Sequence, residues 1–284
     1  MNHHPMKPQT DVDPPFVAVV TGSSSGIGQA VAIELARRGA HVLVHARSNL
    51  HGLATTVHAI EQELTPPKHQ HIGRKTRSVI ADISDEPSAR GLVQAAFAWY
   101  GYVHVWVHAA GADVLTGSAK RWSFAEKLRE LWSTDVYGTI LLSRLVADRM
   151  MQSPLPELAL PSMVHIGWDQ ANQGMEGDSG QYFCPVKSAV EAFSKSLAKS
   201  YAPRLRANCI LPGWIKTEWG DSASPEWHRR ATGESLLQRW GSPQDVANII
   251  AAISMGDGAF INGQSIAVNG GWCGNGQRIE GPSS

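Results

Sequence analysis

Charge, cysteine and long apolar runs are all scarce in this chain of 284 residues. Only 18% of its residues are charged, and 25 Lys and Arg balance 25 Asp and Glu. That balance excludes nucleic acid as the principal partner, because phosphate binding draws on a clustered positive field. Three cysteines, Cys184, Cys209 and Cys273, are too few for a disulfide framework, and none stands in the C-x-x-C spacing of a structural zinc site. They read as small core residues in a reducing, cytoplasmic setting, and no metal is expected. No run of 18 apolar residues exists, so no helix is expected to span a membrane. Residues 1–15 carry four prolines and lack the apolar stretch of a secretory leader, so they read as a mobile tail. Twelve histidines mean that positive charge accumulates below about pH 6.5.

What is present is a chain with 43% hydrophobic residues, long enough to bury a sizeable core. Short apolar runs rich in Val and Ile fall at 16–20, 41–45, 78–81, 103–108, 163–166, 208–211 and 265–268. Helical spacing fills the gaps. Ile27, Val31 and Leu35 recur every four residues until Gly39 stops them. Leu92, Ala95, Ala96 and Trp99 mark a second helix, and Ala189, Val190, Phe193 and Leu197 a third. Strands alternating with helices predict an α/β fold, a doubly wound parallel sheet covered on both faces. Such sheets bind ligands beyond the carboxyl ends of their strands. Residues 16–284 read as one domain, with irregular stretches at 65–75 and 214–240.

The first strand runs into Thr21-Gly22-Ser23-Ser24-Ser25-Gly26-Ile27-Gly28 and then a helix. Glycines there let the backbone approach a pyrophosphate, and a helix N-terminus offers free N–H groups. Asp82-Ile83 follows the third strand, Ala109-Ala110-Gly111 the fourth, and Pro212-Gly213-Trp214-Ile215-Lys216-Thr217 the sixth. With the ending from Ile261-Asn262-Gly263 to Asn269-Gly270-Gly271, these motifs resemble the short-chain dehydrogenase/reductase family, in particular its single-domain 3-oxoacyl-(acyl-carrier-protein) reductase-like type, over residues 16–273. The resemblance implies a Rossmann-type sheet of seven parallel strands, a homotetramer or homodimer, and hydride transfer between a nicotinamide cofactor and a carbonyl or alcohol. It places cofactor contacts at Gly22, Ser24, Ser25, Gly26, Ile27, Gly28, Asp82, Ile83, Ala109, Ala110, Gly111, Lys187, Pro212, Gly213, Ile215 and Thr217. The second strand ends in Ala46-Arg47-Ser48, with no acidic residue to receive the ribose hydroxyls. Arg47, with Ser48 beside it, suits a 2′-phosphate, so NADP is expected in preference to NAD.

The same resemblance implies a catalytic Tyr four residues before a Lys, with a Ser and an Asn. Here the pattern breaks. Four residues before Lys187 stands Phe183, and Tyr182 is five before, about 140° away around a regular helix. Trp168 holds the Ser position and Asp135 the Asn position, and His108-Ala109-Ala110-Gly111 replaces an Asn-Asn-Ala-Gly motif. The candidate proton-handling groups are therefore Lys187, Tyr182, Asp169 and Asp135. Trp214, Trp219, Trp227 and Trp240 are candidates for an aromatic wall around a ring-shaped ligand, or for core and interface filling. The expected function is an NADP(H)-dependent oxidoreductase with an atypical proton donor. The alternative is a cofactor-binding sensor or partner subunit without turnover.

Overall fold

The structure is a computed structural model and describes residues 14–63, 75–154, 160–256 and 258–272. Residues 1–13 of the expected tail, 65–74 of the expected irregular stretch, and Cys273 lie outside them. Seven parallel strands form one sheet: β1 (Val17–Thr21), β2 (His41–Ala46), β3 (Thr76–Ile80), β4 (Val105–His108), β5 (Ser162–Ile166), β6 (Arg206–Pro212) and β7 (Ser265–Val268). Their order is β3-β2-β1-β4-β5-β6-β7, the Rossmann-type arrangement expected. The strand edges follow from chemistry. β3 begins two residues earlier than its apolar run because it is an edge strand, where Thr76 and Arg77 meet solvent at little cost. β6 begins two residues early at Arg206. The Arg206 guanidinium is buried, and its Nη1 donates to the carbonyls of Ile253, Gly258 and Ile261, so a charge that breaks the apolar pattern finds acceptors inside the fold although its Nε has none.

Side chains alternate across the sheet. Ala18 and Val20 face α1 (Gly26–Arg37), α2 (Leu50–Glu63) and α9 (Pro243–Ser254), where Val31, Leu35, Ile60 and Ile250 complete one core. Val17 and Val19 face α3 (Glu86–Tyr100), α5 (Thr139–Gln152) and α6 (Gly177–Tyr201), where Leu92, Trp106, Leu142 and Met163 complete the other. Gly39 follows α1 at φ +110°, and its N–H returns to the Ala36 carbonyl, which ends the helix as its position predicted. Three short helices crown the carboxyl edge: α4 (Phe124–Leu131), α7 (Glu218–Asp221) and α8 (Pro225–Glu234). A π-helical turn at Trp132–Gly138 joins α4 to α5. The strand order reverses at β1 and β4, so the loops after these strands diverge and open a crevice between them. Among the described residues no helix is long and apolar enough to cross a membrane.

Candidate active site

The crevice begins at the glycine-rich turn. Gly22 sits at φ +65°, and a Cβ there would lie 2.5 Å from the Ala110 Cα. A Cβ on Gly28 would lie 2.2 Å from the Gly22 carbonyl oxygen. The two glycines thus bring the turn, the loop after β4 and the first turn of α1 into contact. Ser25 caps α1 with no side-chain hydrogen bond, and the first turn holds no acid. The leading N–H groups of the helix therefore face the crevice uncapped, and their dipole favours an anion.

His45 braces this turn from β2. Its Nδ1 accepts from the Gly22 N–H at 3.2 Å, and its Nε2–H donates to the Ala81 carbonyl at 2.9 Å. Burial pulls the imidazole down to about 4, so it is neutral at pH 7, as both bonds require. Nothing in the sequence pattern marked this role. Thr21 ties the other side, its Oγ1 accepting from the Ala110 N–H.

Among the described residues, two adjoining cavities line this crevice. The first, about 470 Å³, is lined by Gly22, Ser24, Ser25, Gly26, Ile27 and Gly28, by Arg47 and Ser48, by Asp82 and Ile83, by Ala109, Ala110 and Gly111, and by Thr217. The second, about 640 Å³, holds Lys187, Pro212, Gly213 and Ile215. Every residue singled out for the cofactor thus lines one cavity or the other. The two meet at Ile27, Leu115, Ile166, Phe183, Thr217 and Trp219, which border both. At the rim of the first cavity the Arg47 guanidinium lies 2.7 Å from the Glu130 carboxylate of α4, a partner 83 residues away that sequence reading missed.

The four candidate proton-handling groups part company. Lys187 lines the second cavity, and its Nζ lies 2.8 Å from Asp135 Oδ2. Asp135 is 3% exposed, and its Oδ1 accepts from the Ala112 N–H at 2.7 Å. It lines neither cavity. Asp135 is therefore a brace for Lys187 and for the loop after β4, not a group facing a ligand. The π-helical turn supplies it, since the wider turn carries Asp135 inward between α4 and α5. Asp169 also lines neither cavity. Its Oδ2 accepts from Asn269 at 3.0 Å, and burial, with the Glu234 charge adding to it, raises the carboxyl to about 6. The expectation that Asp169 handles protons at the site fails on direction: Trp168 takes the cavity side of that loop. Tyr182 does line the second cavity, although it is 2% exposed and five residues from Lys187. The cavity wraps the start of α6, so it meets more than one face of the helix. The Tyr182 hydroxyl lies 3.0 Å from Ser179 Oγ, another cavity residue that the sequence did not single out. Phe183 packs edge-to-face on Trp168 at 6.3 Å, so two rings stand at the positions that resemblance assigns to Tyr and Ser.

Comparison with known proteins agrees with this architecture. The family profile described as enoyl-(acyl carrier protein) reductase matches residues 22–273. The chain belongs to the short-chain dehydrogenase/reductase family. It is 30% identical over 263 residues to an NADPH-dependent aldehyde reductase-like protein, chloroplastic, of Arabidopsis thaliana, covering 90% of this chain and 93% of that one. It is 28% identical over 260 residues to the 3-oxoacyl-(acyl-carrier-protein) reductase of Escherichia coli, covering 90% and 96%. A short-chain dehydrogenase/reductase structure from Mycobacterium ulcerans superposes with a TM-score of 0.78 at 29% identity, over 90% and 89% of the chains. The chain thus belongs to a family of oxidoreductases that use nicotinamide cofactors on small molecules. One consequence is testable at the turn. Gly28→Ala would drive a methyl group into the Gly22 carbonyl, so nicotinamide cofactor affinity is expected to fall at least ~100-fold while far-UV circular dichroism stays native. Retained affinity in a titration would remove the turn from the cofactor site.

Proposed function

We propose that this chain is an NADP(H)-dependent oxidoreductase that reduces a carbonyl, or oxidises an alcohol, with Tyr182 as the proton donor. The observation that carries the reading is the shared wall of the two cavities, with a phosphate-type cradle at one end and Lys187, Tyr182 and Ser179 in the other. The cradle fits a dinucleotide because its glycines leave no room for side chains and its helix amides are uncapped. Gly22, Ser24, Ser25, Gly26, Ile27 and Gly28 would hold the pyrophosphate. Asp82 and Ile83 would border the adenine, with Ala109, Ala110 and Gly111 beside it. Pro212, Gly213, Ile215 and Thr217 would flank the nicotinamide, and Lys187 its ribose. The bound nicotinamide supplies or accepts the hydride.

The chain's own residues do the rest. The Tyr182 hydroxyl gives its proton to the carbonyl oxygen, and Ser179 Oγ orients that hydroxyl. Asp135 holds the Lys187 ammonium, which lines the same cavity. Asp169, although its carboxyl is raised to about 6, is turned to Asn269 and away from this exchange. Arg47 and Ser48 would receive the 2′-phosphate, which must draw Arg47 away from Glu130. The NADPH-dependent name of the Arabidopsis relative supports the cofactor preference. Exposed Leu236 and Leu237 support an assembly of like chains, and Cys184 and Cys209, both free thiols, support a reducing, cytoplasmic setting.

Titration by energy transfer from tryptophan to the nicotinamide ring tests the cofactor. NADPH is expected to bind at least ~10-fold more tightly than NADH, a gap that Arg47→Ala closes, since a charge-assisted contact to phosphate is worth about 1.5–3 kcal/mol. Glu130→Gln is expected to tighten NADPH several-fold and leave NADH unchanged. Equal binding of both cofactors by the unmodified protein would overturn the preference. Tyr182→Phe is expected to lower kcat by at least ~100-fold with cofactor affinity intact. Unchanged kcat would overturn the donor.

A further inference from the structure

The second cavity is lined by aromatic rings to a degree that hydride transfer does not call for. Trp214 and Trp227 lie 5.5 Å apart, Trp219 and Trp227 5.7 Å, and Trp214 and Trp219 stack at 6.2 Å and 23°. All three line the cavity, and Trp168 and Phe183 line it too. Trp240 backs Trp214 and Trp219 from behind.

This wall is held rigid by a buried polar hub. Glu234 is 4% exposed. One of its carboxylate oxygens accepts from the Trp214 indole N–H at 2.8 Å, and the other accepts from Arg230 Nε at 2.8 Å. The Arg230 guanidinium then lies 5.8 Å from the Trp214 ring centre and 5.3 Å from that of Trp227. Its far side donates to Glu176, just before α6, at 2.6 Å. One carboxylate and one guanidinium therefore set the planes of two tryptophans and tie α8 both to the loop after β6 and to the start of α6. Rings fixed in advance lose little freedom when a ligand arrives.

We propose that this cavity takes its carbonyl or alcohol on a flat, fused-ring or aryl skeleton, and that Glu234 and Arg230 are positioning residues that set its aromatic wall. The proposal rests on the oxidoreductase reading above. A flexible alkyl chain gains from any apolar wall of the same area and is best served by adaptable side chains such as Met and Leu. Stiff indole faces discriminate: they reward a planar partner by stacked or edge-on contact and offer a chain no such gain. The hydrogen-bonded hydroxyl pair lining this cavity, Ser179 and Tyr182, is left to meet the substrate oxygen.

The test compares 2-tetralone, a fused bicyclic ketone, with 2-decanone, an open chain of equal carbon count. Both are titrated against the protein in the presence of NADP by tryptophan fluorescence, and both are assayed as substrates with NADPH. The bicyclic ketone is expected to bind at least ~10-fold more tightly. Trp227→Leu should erase that gap by weakening the bicyclic ketone alone, and Trp219→Leu serves where Trp227→Leu does not fold. Glu234→Gln should raise KM for the bicyclic ketone several-fold and leave kcat unchanged, a split that general loss of structure does not produce. Equal affinity for the two ketones, binding of neither, or equal weakening of both by Trp227→Leu would overturn the inference. Selective binding of 2-tetralone without turnover of either ketone would uphold the ring preference and overturn the carbonyl-reduction reading instead.

Discussion

Lys187→Met is expected to lower the stability of the fold by about 3–5 kcal/mol, because it strands the buried Asp135 carboxylate without its cation. In a chain of this size that corresponds to a fall in Tm on the order of 10 °C. The asymmetry of the pair supplies the decisive control. Asp135→Asn keeps an acceptor for the Ala112 N–H and leaves behind only Lys187, which reaches the cavity and is 18% exposed. Its cost is expected to be near 1 kcal/mol. Adding Asp135→Asn to Lys187→Met removes the stranded charge, so the double variant should be more stable than Lys187→Met alone by about 2 kcal/mol. A urea midpoint series on the four proteins reads this directly. Strict additivity, or a Lys187→Met midpoint equal to that of the unmodified protein, would show that the pair is not coupled. Turnover should not follow stability. It is expected to be lost by at least ~100-fold in every variant that lacks Lys187, including the restabilised one, because the ammonium that lines the cavity with Tyr182 is then absent.

That contrast bears on what was legible in the sequence. The glycine-rich turn and its partner loops were legible because their constraint is local. Gly22 and Gly28 answer to backbone atoms a few residues or one strand away, and at so close an approach any side chain would collide. The five central strands were legible for a similar reason, since a strand buried on both faces is a continuous apolar run. Polar edge residues such as Thr76 and a buried Arg206 hid only its limits. Contacts between distant segments were not legible. Asp135 and Lys187 are 52 residues apart, Arg47 and Glu130 83, and Asp169 and Asn269 100. No periodicity encodes which way a loop carboxylate turns. Asp169 and Trp168 are neighbours, yet one faces Asn269 and the other the cavity. Tyr182 shows a subtler limit. Helical angle alone set it apart from Lys187, but a cavity that wraps the start of a helix gathers side chains from more than one face.

The other large effect concerns acid. The histidine count hinted at a pH response, and the structure gives it a direction. His108 and His165 are register partners on β4 and β5 and stack at 4.9 Å with their planes 3° apart. Both rings share Ser143 Oγ, at 3.1 and 3.0 Å, and His165 reaches Ser194 Oγ on its other side. His104 stacks on Phe16, its Nδ1 accepting from the Val17 N–H, and His45 braces Gly22. Burial lowers all four: His45 and His104 to about 4, His165 to about 3, and His108 well below its ordinary value. An unfolded histidine takes its proton near pH 6.5. Between pH 6.5 and about 4 the unfolded chain therefore binds more protons than the native one, and stability falls as pH falls, by about 1.4 kcal/mol per group per pH unit. Four such groups cost roughly 5 kcal/mol at pH 5.5 relative to pH 8, a large share of the stability of an ordinary domain. Asp169 works in the opposite sense. Its carboxyl, raised to about 6, holds a proton in the native state that an unfolded aspartate releases above about 3.9, so it offsets less than one histidine's share. Urea midpoints measured from pH 8 to pH 5 should thus drop steeply below pH 6.5, and His165→Gln should flatten the slope by about one proton. A midpoint level across that range, or imidazole resonances of these rings that titrate near pH 6.5 in the folded protein, would mean that the four rings are not held neutral by the core.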